Sequence, residues 1–205
     1  MLNEVITPSL QLFNFSRSGH TFYVSKRGNW GLVNFQKSKW STSDKLEFTV
    51  RLGIASTNLL KFFRPVTSEL RPGISACHWQ IALGRLLKPH KDWWVISANT
   101  SFEDISKEVR HYVVDIGLPE MDKYLSDEAL RDLWLSGQDP TLLLTDSERQ
   151  KLLLVLLKIH GPENIFQSKV HEFLQHAREK GADEEIMAER YVKMLEKSSS
   201  LPAIS

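Results

Sequence analysis

One cysteine, Cys77, stands in the 205 residues. An intramolecular disulfide is therefore excluded, which fits a reducing compartment. Long apolar runs are missing too. The longest, LLLVLL from Leu152 to Leu157, falls far short of the ~20 residues that cross a bilayer. The opening stretch, MLNEVITPSLQLFNF, has neither the basic segment nor the extended apolar core of a secretory signal. These absences lead us to expect a soluble, cytoplasmic protein with no membrane partner.

The familiar catalytic signatures are absent as well. There is no GxxxxGK[ST] loop, no GxGxxG fingerprint and no GxSxG elbow. His171 and His176, in HEFLQH, are five residues apart. On a helix that separates them by roughly 140°, a poor fit to one zinc ion. Cys77 and His78 are neighbours, and adjacent strand residues point to opposite faces, so they do not pair as nucleophile and base. Cys77 reads as a small core residue. Asp44 and Glu47 lack the following lysine of a strand-borne nuclease site. No cofactor, no metal ligand and no catalytic residue is expected.

What is present is an ordinary globular mixture, 41% hydrophobic and 25% charged. Charge, however, is unevenly spread. Residues 1–100 carry 13 Lys+Arg and 5 Asp+Glu, while residues 101–205 carry 13 and 20. A basic first half can serve an acidic partner or nucleic acid. It can equally dock on the acidic half.

Periodicity predicts the elements. A short helix over Val5 to Phe13 closes at Asn14. Strands follow at Thr21 to Lys26, Trp30 to Gln36, Leu46 to Ile54 and Ile74 to Leu83, with Gly28-Asn29 as a hairpin turn. Asn58 to Phe63 reads as a short helix stopped by Pro65. Ser101 is an expected N-cap, with Glu103 and Asp104 in the first turn. The helix it opens breaks at Gly117 and Pro119. A further helix runs around Met121 to Trp134. Asp139-Pro140 marks a linker, and helices follow at Ser147 to His160, Lys169 to Lys180 and Asp183 to Glu196. The expected fold is α+β: a four-stranded antiparallel sheet with helices packed on one face, plus an all-helical C-terminal extension. Its parts are residues 1–138, 139–197 and a disordered tail, 198–205.

Alternation along the strands separates two faces. Val33, Phe35, Phe48, Val50, Leu52, Ile54, Cys77, Trp79 and Ile81 share an apolar face that helices must cover. The other face carries Asn34, Gln36, Thr49, Arg51, His78 and Gln80. A hairpin loop beside it bears Lys37, Lys39 and Trp40. A solvated sheet face is polar too. Two amides, a guanidinium and an imidazole nonetheless make a richer set of donors and acceptors than the Thr, Lys and Glu common there.

The stretches SLQLFNFSRSGHTFYV, WGLVNFQKSKW and LEFTVRLGI resemble a bacterial family known only as a domain of unknown function. Its pattern reads GFxxxGxxFY, INFQKSxW and FTVNLGIY. The matching residues are Phe15, Gly19, Phe22 and Tyr23, then Asn34 to Ser38, then Phe48, Thr49, Leu52, Gly53 and Ile54. Asn14 stands where the family has glycine, and Arg51 stands where it has asparagine. The resemblance covers about residues 8–125 and implies the fold rather than a reaction.

Together these features lead us to expect a non-enzymatic binding protein, such as an immunity or defence accessory, that meets a protein partner. The expected contacts are Asn34, Gln36, Lys37, Lys39, Trp40, Arg51 and His78. One alternative is a weak nucleic-acid binder using Lys26, Arg27, Lys37, Lys39 and Arg51, with Trp40 stacking. Another is an enzyme with an unfamiliar site around Asn34, Gln36, Arg51 and His78. Self-association through the C-terminal helices is also expected.

Overall fold

The computed structural model describes residues 1–63, 71–139 and 144–197. The expected tail, Pro65 and Pro140 lie outside the described residues. Contacts divide the chain into two compact units. The first comprises Met1–Thr57 and residues 71–126, and the second residues 58–63, 127–139 and 144–197.

In the first unit a π-helical turn (Leu2–Ile6) leads into α1 (Thr7–Gln11), which Asn14 closes in the left-handed region at φ 62°. The sheet holds six strands rather than the expected four: β1 (Ser16–Ser18), β2 (Thr21–Lys26), β3 (Asn29–Lys37), β4 (Lys45–Ser56), β5 (Trp79–Ala82) and β6 (Trp94–Ser97). β1 and β6 escape sequence reading because three or four residues carry no usable period. All pairings are antiparallel, in the order β1-β2-β3-β4-β5, with β6 also on β4. β4 is long enough to carry β5 along Arg51–Ile54 and β6 along Lys45–Phe48.

The β2–β3 turn centres on Arg27-Gly28, not on Gly28-Asn29. Both central residues have positive φ, 53° and 78°, as the tightest right-twisted hairpins require. Asn29 starts β3, and its buried side chain accepts the Thr57 N–H at 3.0 Å. This turn fixes the register that sets Thr21 opposite Asn34.

The expected fourth strand is cut to four residues. Ile74–Ala76 forms a 3₁₀ turn instead, with Ala76 N–H and Cys77 N–H bonded back to the Gly73 and Ile74 carbonyls. Leu83–Leu86 forms another.

Helix α3 (Phe102–His111) is capped by Ser101, whose Oγ accepts the Asp104 N–H. It does not break at Gly117. It passes through a π-helical turn (Tyr112–Gly117) into α4 (Leu118–Asp122). The wider turn is a usual way for a helix to absorb a nearby proline, here Pro119. Gly117 serves close packing: a Cβ there would lie 3.0 Å from Leu83 Cδ1 and 3.2 Å from Leu52 Cδ1. Gly31, likewise, leaves room for Met121 and Leu125. These helices thus cover the apolar face, where Phe22, Val33, Phe48, Val50, Leu52, Ile54, Trp79 and Trp94 are buried.

The second unit contains α2 (Thr57–Phe63, beyond its first residue), α5 (Asp127–Ser136), α6 (Asp146–His160), α7 (Glu163–Lys180) and α8 (Ala182–Lys197). Leu152 to Leu157 are buried without exception. An all-apolar helix must be covered on most sides. α6 packs against α5 and α7, and Tyr191 on α8 donates to the Lys151 carbonyl at 2.7 Å. Among the described residues, no helix is long and apolar enough to cross a membrane.

Candidate functional site

Register places Thr21, Asn34, Arg51 and Ala82 in one row across the second face of the sheet, with Gln36 and Thr49 in the next row. In the adjacent row on the other side come Tyr23, Leu32, Gly53 and Gln80. This face is not uniformly open. Leu32 has no exposed surface although it sits among the polar rows. The segment before β5 crosses this face in the row of Leu32.

That segment lies over Gly53. A Cβ on Gly53 would fall 2.6 Å from Ile74 Cδ1 and 2.7 Å from Cys77 Sγ. Gln80 fastens the segment by donating from Nε2 to the Ile74 carbonyl at 2.5 Å. The Arg71 guanidinium rests 5.4 Å from the centre of the Tyr23 ring. Cys77 therefore packs over the polar rows and not, as alternation suggests, on the apolar face. It precedes the strand, so the two-residue period does not apply to it. Its burial is complete enough to push its thiol pKa well above the ordinary value.

The strap divides the face. Gln80 is spent on holding it. His78 is not in a strand; its Nδ1 accepts the Ser56 N–H at 3.1 Å and finishes the end of β4. Neither joins Asn34 and Arg51. The half of the face beyond the strap contains Asn34, Gln36 and Arg51, whereas Lys37, expected beside them, is exposed at the end of β3 but shares the side of Phe35 and Phe48.

In this open half the hydrogen bonding is incomplete. Asn34 Nδ2 donates to Thr21 Oγ1 at 2.7 Å, but its Oδ1 is covered and has no partner. Arg51, its neighbour across β3–β4, has a covered Nε without a partner. Its guanidinium makes no ion pair or hydrogen bond with any described residue. Buried groups of this kind are rare in folded proteins. Gln36 lies diagonally across from Arg51, close enough for the two side chains to meet one ligand. Its amide also makes no bond to a described residue. Thr21 and Arg71 do not stand out in the sequence. Thr21 is legible through the hairpin register once the turn is centred correctly; Arg71 is not, because nothing in a loop sequence says which ring it crosses.

Lys26 and Arg27 behave differently from the basic residues at the open half. Both pair with Asp122, at the end of α4. The Lys26 hydrogen bond, followed by the charges of both cations, holds the Asp122 carboxyl below its usual range. His176 Nδ1 lies 3.9 Å from Glu179, not beside His171. Among the described residues no group of three or more His, Cys, Asp or Glu side chains is placed to hold a metal.

The fold and this face define an α+β domain with helices on one side of its sheet and a half-strapped polar surface on the other. The chain belongs to the family described as a domain of unknown function (DUF4304), whose model matches residues 6–123. The match takes in all six strands and ends just beyond α4. No curated protein and no solved structure matches the chain.

Proposed function

We propose that the protein is a binding protein whose open half-face takes a carboxylate of a protein partner, with Arg51 as the principal donor and Gln36 beside it. The observation that carries this reading is half-buried Arg51, which has a covered Nε and is paired with no described carboxylate. A guanidinium in that setting matches the planar fork of a carboxylate. A small protein that blocks a toxin, or assists a defence system, by covering an acidic surface is the form of activity we expect. The missing catalytic motifs favour binding over turnover.

The test is affinity isolation from the native host with wild-type protein and the Arg51→Ala variant. Hydrogen bonds to charged groups contribute about 1.5–3 kcal/mol, so the variant should bind its partner roughly ten- to a hundredfold more weakly. Its melting temperature should hold, because Arg51 makes no hydrogen bond or ion pair with a described residue. An identical set of retained proteins, or a collapse in melting temperature, overturns the proposal.

A further inference from the structure

The loop between β3 and β4 ends the same half-face, and it is built to hold one side chain out. Trp40 is 73% exposed, whereas Trp79 and Trp94 are fully buried and Trp134 nearly so. The loop under it is not slack. Ser38 N–H bonds the Glu47 carbonyl at 2.8 Å, and Ser38 Oγ accepts the Trp40 N–H at 3.1 Å. Ser41 Oγ accepts the Glu47 N–H at 3.0 Å and donates to the Glu47 carbonyl at 3.1 Å. Thr42 N–H bonds the Lys45 carbonyl at 2.8 Å. Two serines thus pin the loop to β4 on either side of the indole. A fixed loop loses little freedom on binding, which is where much of the cost of association lies.

Cations outnumber carboxylates around the loop, where Lys37, Lys39 and Lys45 stand against Asp44 and Glu47. Lys39 Nζ sits 5.0 Å from the centre of the Trp40 ring. Arg51 lies further along the half-face that this loop ends, while Lys37 is exposed at the end of β3 on the other side of the ladder. Glu47, the nearest strand carboxylate, is already paired with Lys45. Tryptophan and arginine dominate binding energy where an interface encloses them, and this loop and the half-face it ends present one of each.

We infer that Trp40 is the anchor of this interface, and that the partner is an acidic protein surface with an apolar recess for the indole. Carboxylates around that recess meet Lys39 and Arg51. This rests on the reading of the half-face as a carboxylate site and adds to it the element that inserts and the chemistry that receives it. The pinned loop distinguishes the arrangement from a stray surface tryptophan.

The experiment titrates the full-length protein with three labelled probes at low and moderate salt: a random glutamate–tyrosine copolymer, poly-glutamate, and single-stranded oligothymidylate. Wild type, Trp40→Ala and Arg51→Ala are compared, with thermal melts of each. We expect the mixed acidic copolymer to bind more tightly than poly-glutamate. Trp40→Ala should weaken it about tenfold or more and abolish the preference, with an unchanged melt. If Arg51→Ala weakens binding and Trp40→Ala does not, the anchor is wrong while the binding face stands. If no acidic polymer binds wild type at low salt, the binding face itself fails. Tighter binding to oligothymidylate, lost with Trp40, replaces the protein partner with a single-stranded nucleic acid on which the indole stacks.

Discussion

Asn34 and Arg51 offer an acceptor and a donor side by side, each covered and each without a partner. Asn34→Asp should close that gap from within. One carboxylate oxygen accepts from the Thr21 hydroxyl and the other faces the Arg51 guanidinium. The melting temperature should hold or rise, and binding through Arg51 should be lost, because its charge is now met internally. Thermal melts beside the copolymer titration check both halves of this expectation. Cys77 gives a second expectation at this scale. Burial keeps its thiol protonated, and the thiolate is the nucleophile. Alkylation by iodoacetamide at neutral pH should therefore track unfolding in urea rather than proceed in the native protein. Asp122 gives a third. Its folded pKa is lowered, so its contribution is present above the unfolded carboxyl value, about 3.9, and fades as pH falls through the folded one. Asp122→Asn should lower the urea midpoint at pH 7, and the difference from wild type should vanish in strong acid. The side chain is 42% exposed, so the difference will be small.

Elements with a long period and a sharp end are legible in the sequence. The LLLVLL stretch implies a helix covered on most sides, and α6 is that helix. Periodicity starts it one residue late, at Ser147. Thr145 is the cap, with Oγ1 accepting the Glu148 N–H at 3.2 Å while Glu148 Oε2 accepts from the Thr145 N–H at 2.8 Å. Thr145→Ala should cost about 1 kcal/mol, read as a lower urea midpoint with an unchanged slope. Elements whose shape depends on distant contacts are not legible. The π-helical turn at Tyr112–Gly117 keeps one helical path where Gly117 and Pro119 suggest two. The reason Gly117 is glycine lies on β4 and in Leu83, not in its own neighbours. The same holds for the strap. Alternation assigns Cys77 and His78 to strand faces, but the 3₁₀ turn before them ends the period.

At the scale of the molecule, the contacts group α5 with α6, α7 and α8. A chain ending at residue 140 would keep α5 without α6, leaving Leu130, Leu133 and Trp134 uncovered. A chain ending at Ser126 removes α5 as well and leaves only Leu59 and Leu60 of α2 without the rest of their unit. We expect the shorter of the two truncations to be the better behaved, giving a sharper melt and a single monomeric peak in size-exclusion chromatography. The reverse order would show that α5 belongs with the sheet. The excess of positive charge in residues 1–100 is visible from counting alone. Its availability is not: Lys26 and Arg27 are occupied by Asp122 and Lys45 by Glu47, whereas Arg51 meets no described carboxylate.

The strap over Gly53 has an evolutionary consequence. Any side chain at Gly53 collides with Ile74 and Cys77, and Gln80 ties the same segment down. A lineage cannot alter one of these four positions without disturbing the others. Lys39, where the family pattern is open, and Arg51, where it has asparagine, carry no such obligation. A descendant can exchange these two while the sheet beneath stays as it was. One face thus joins a heritable frame to a surface free to drift.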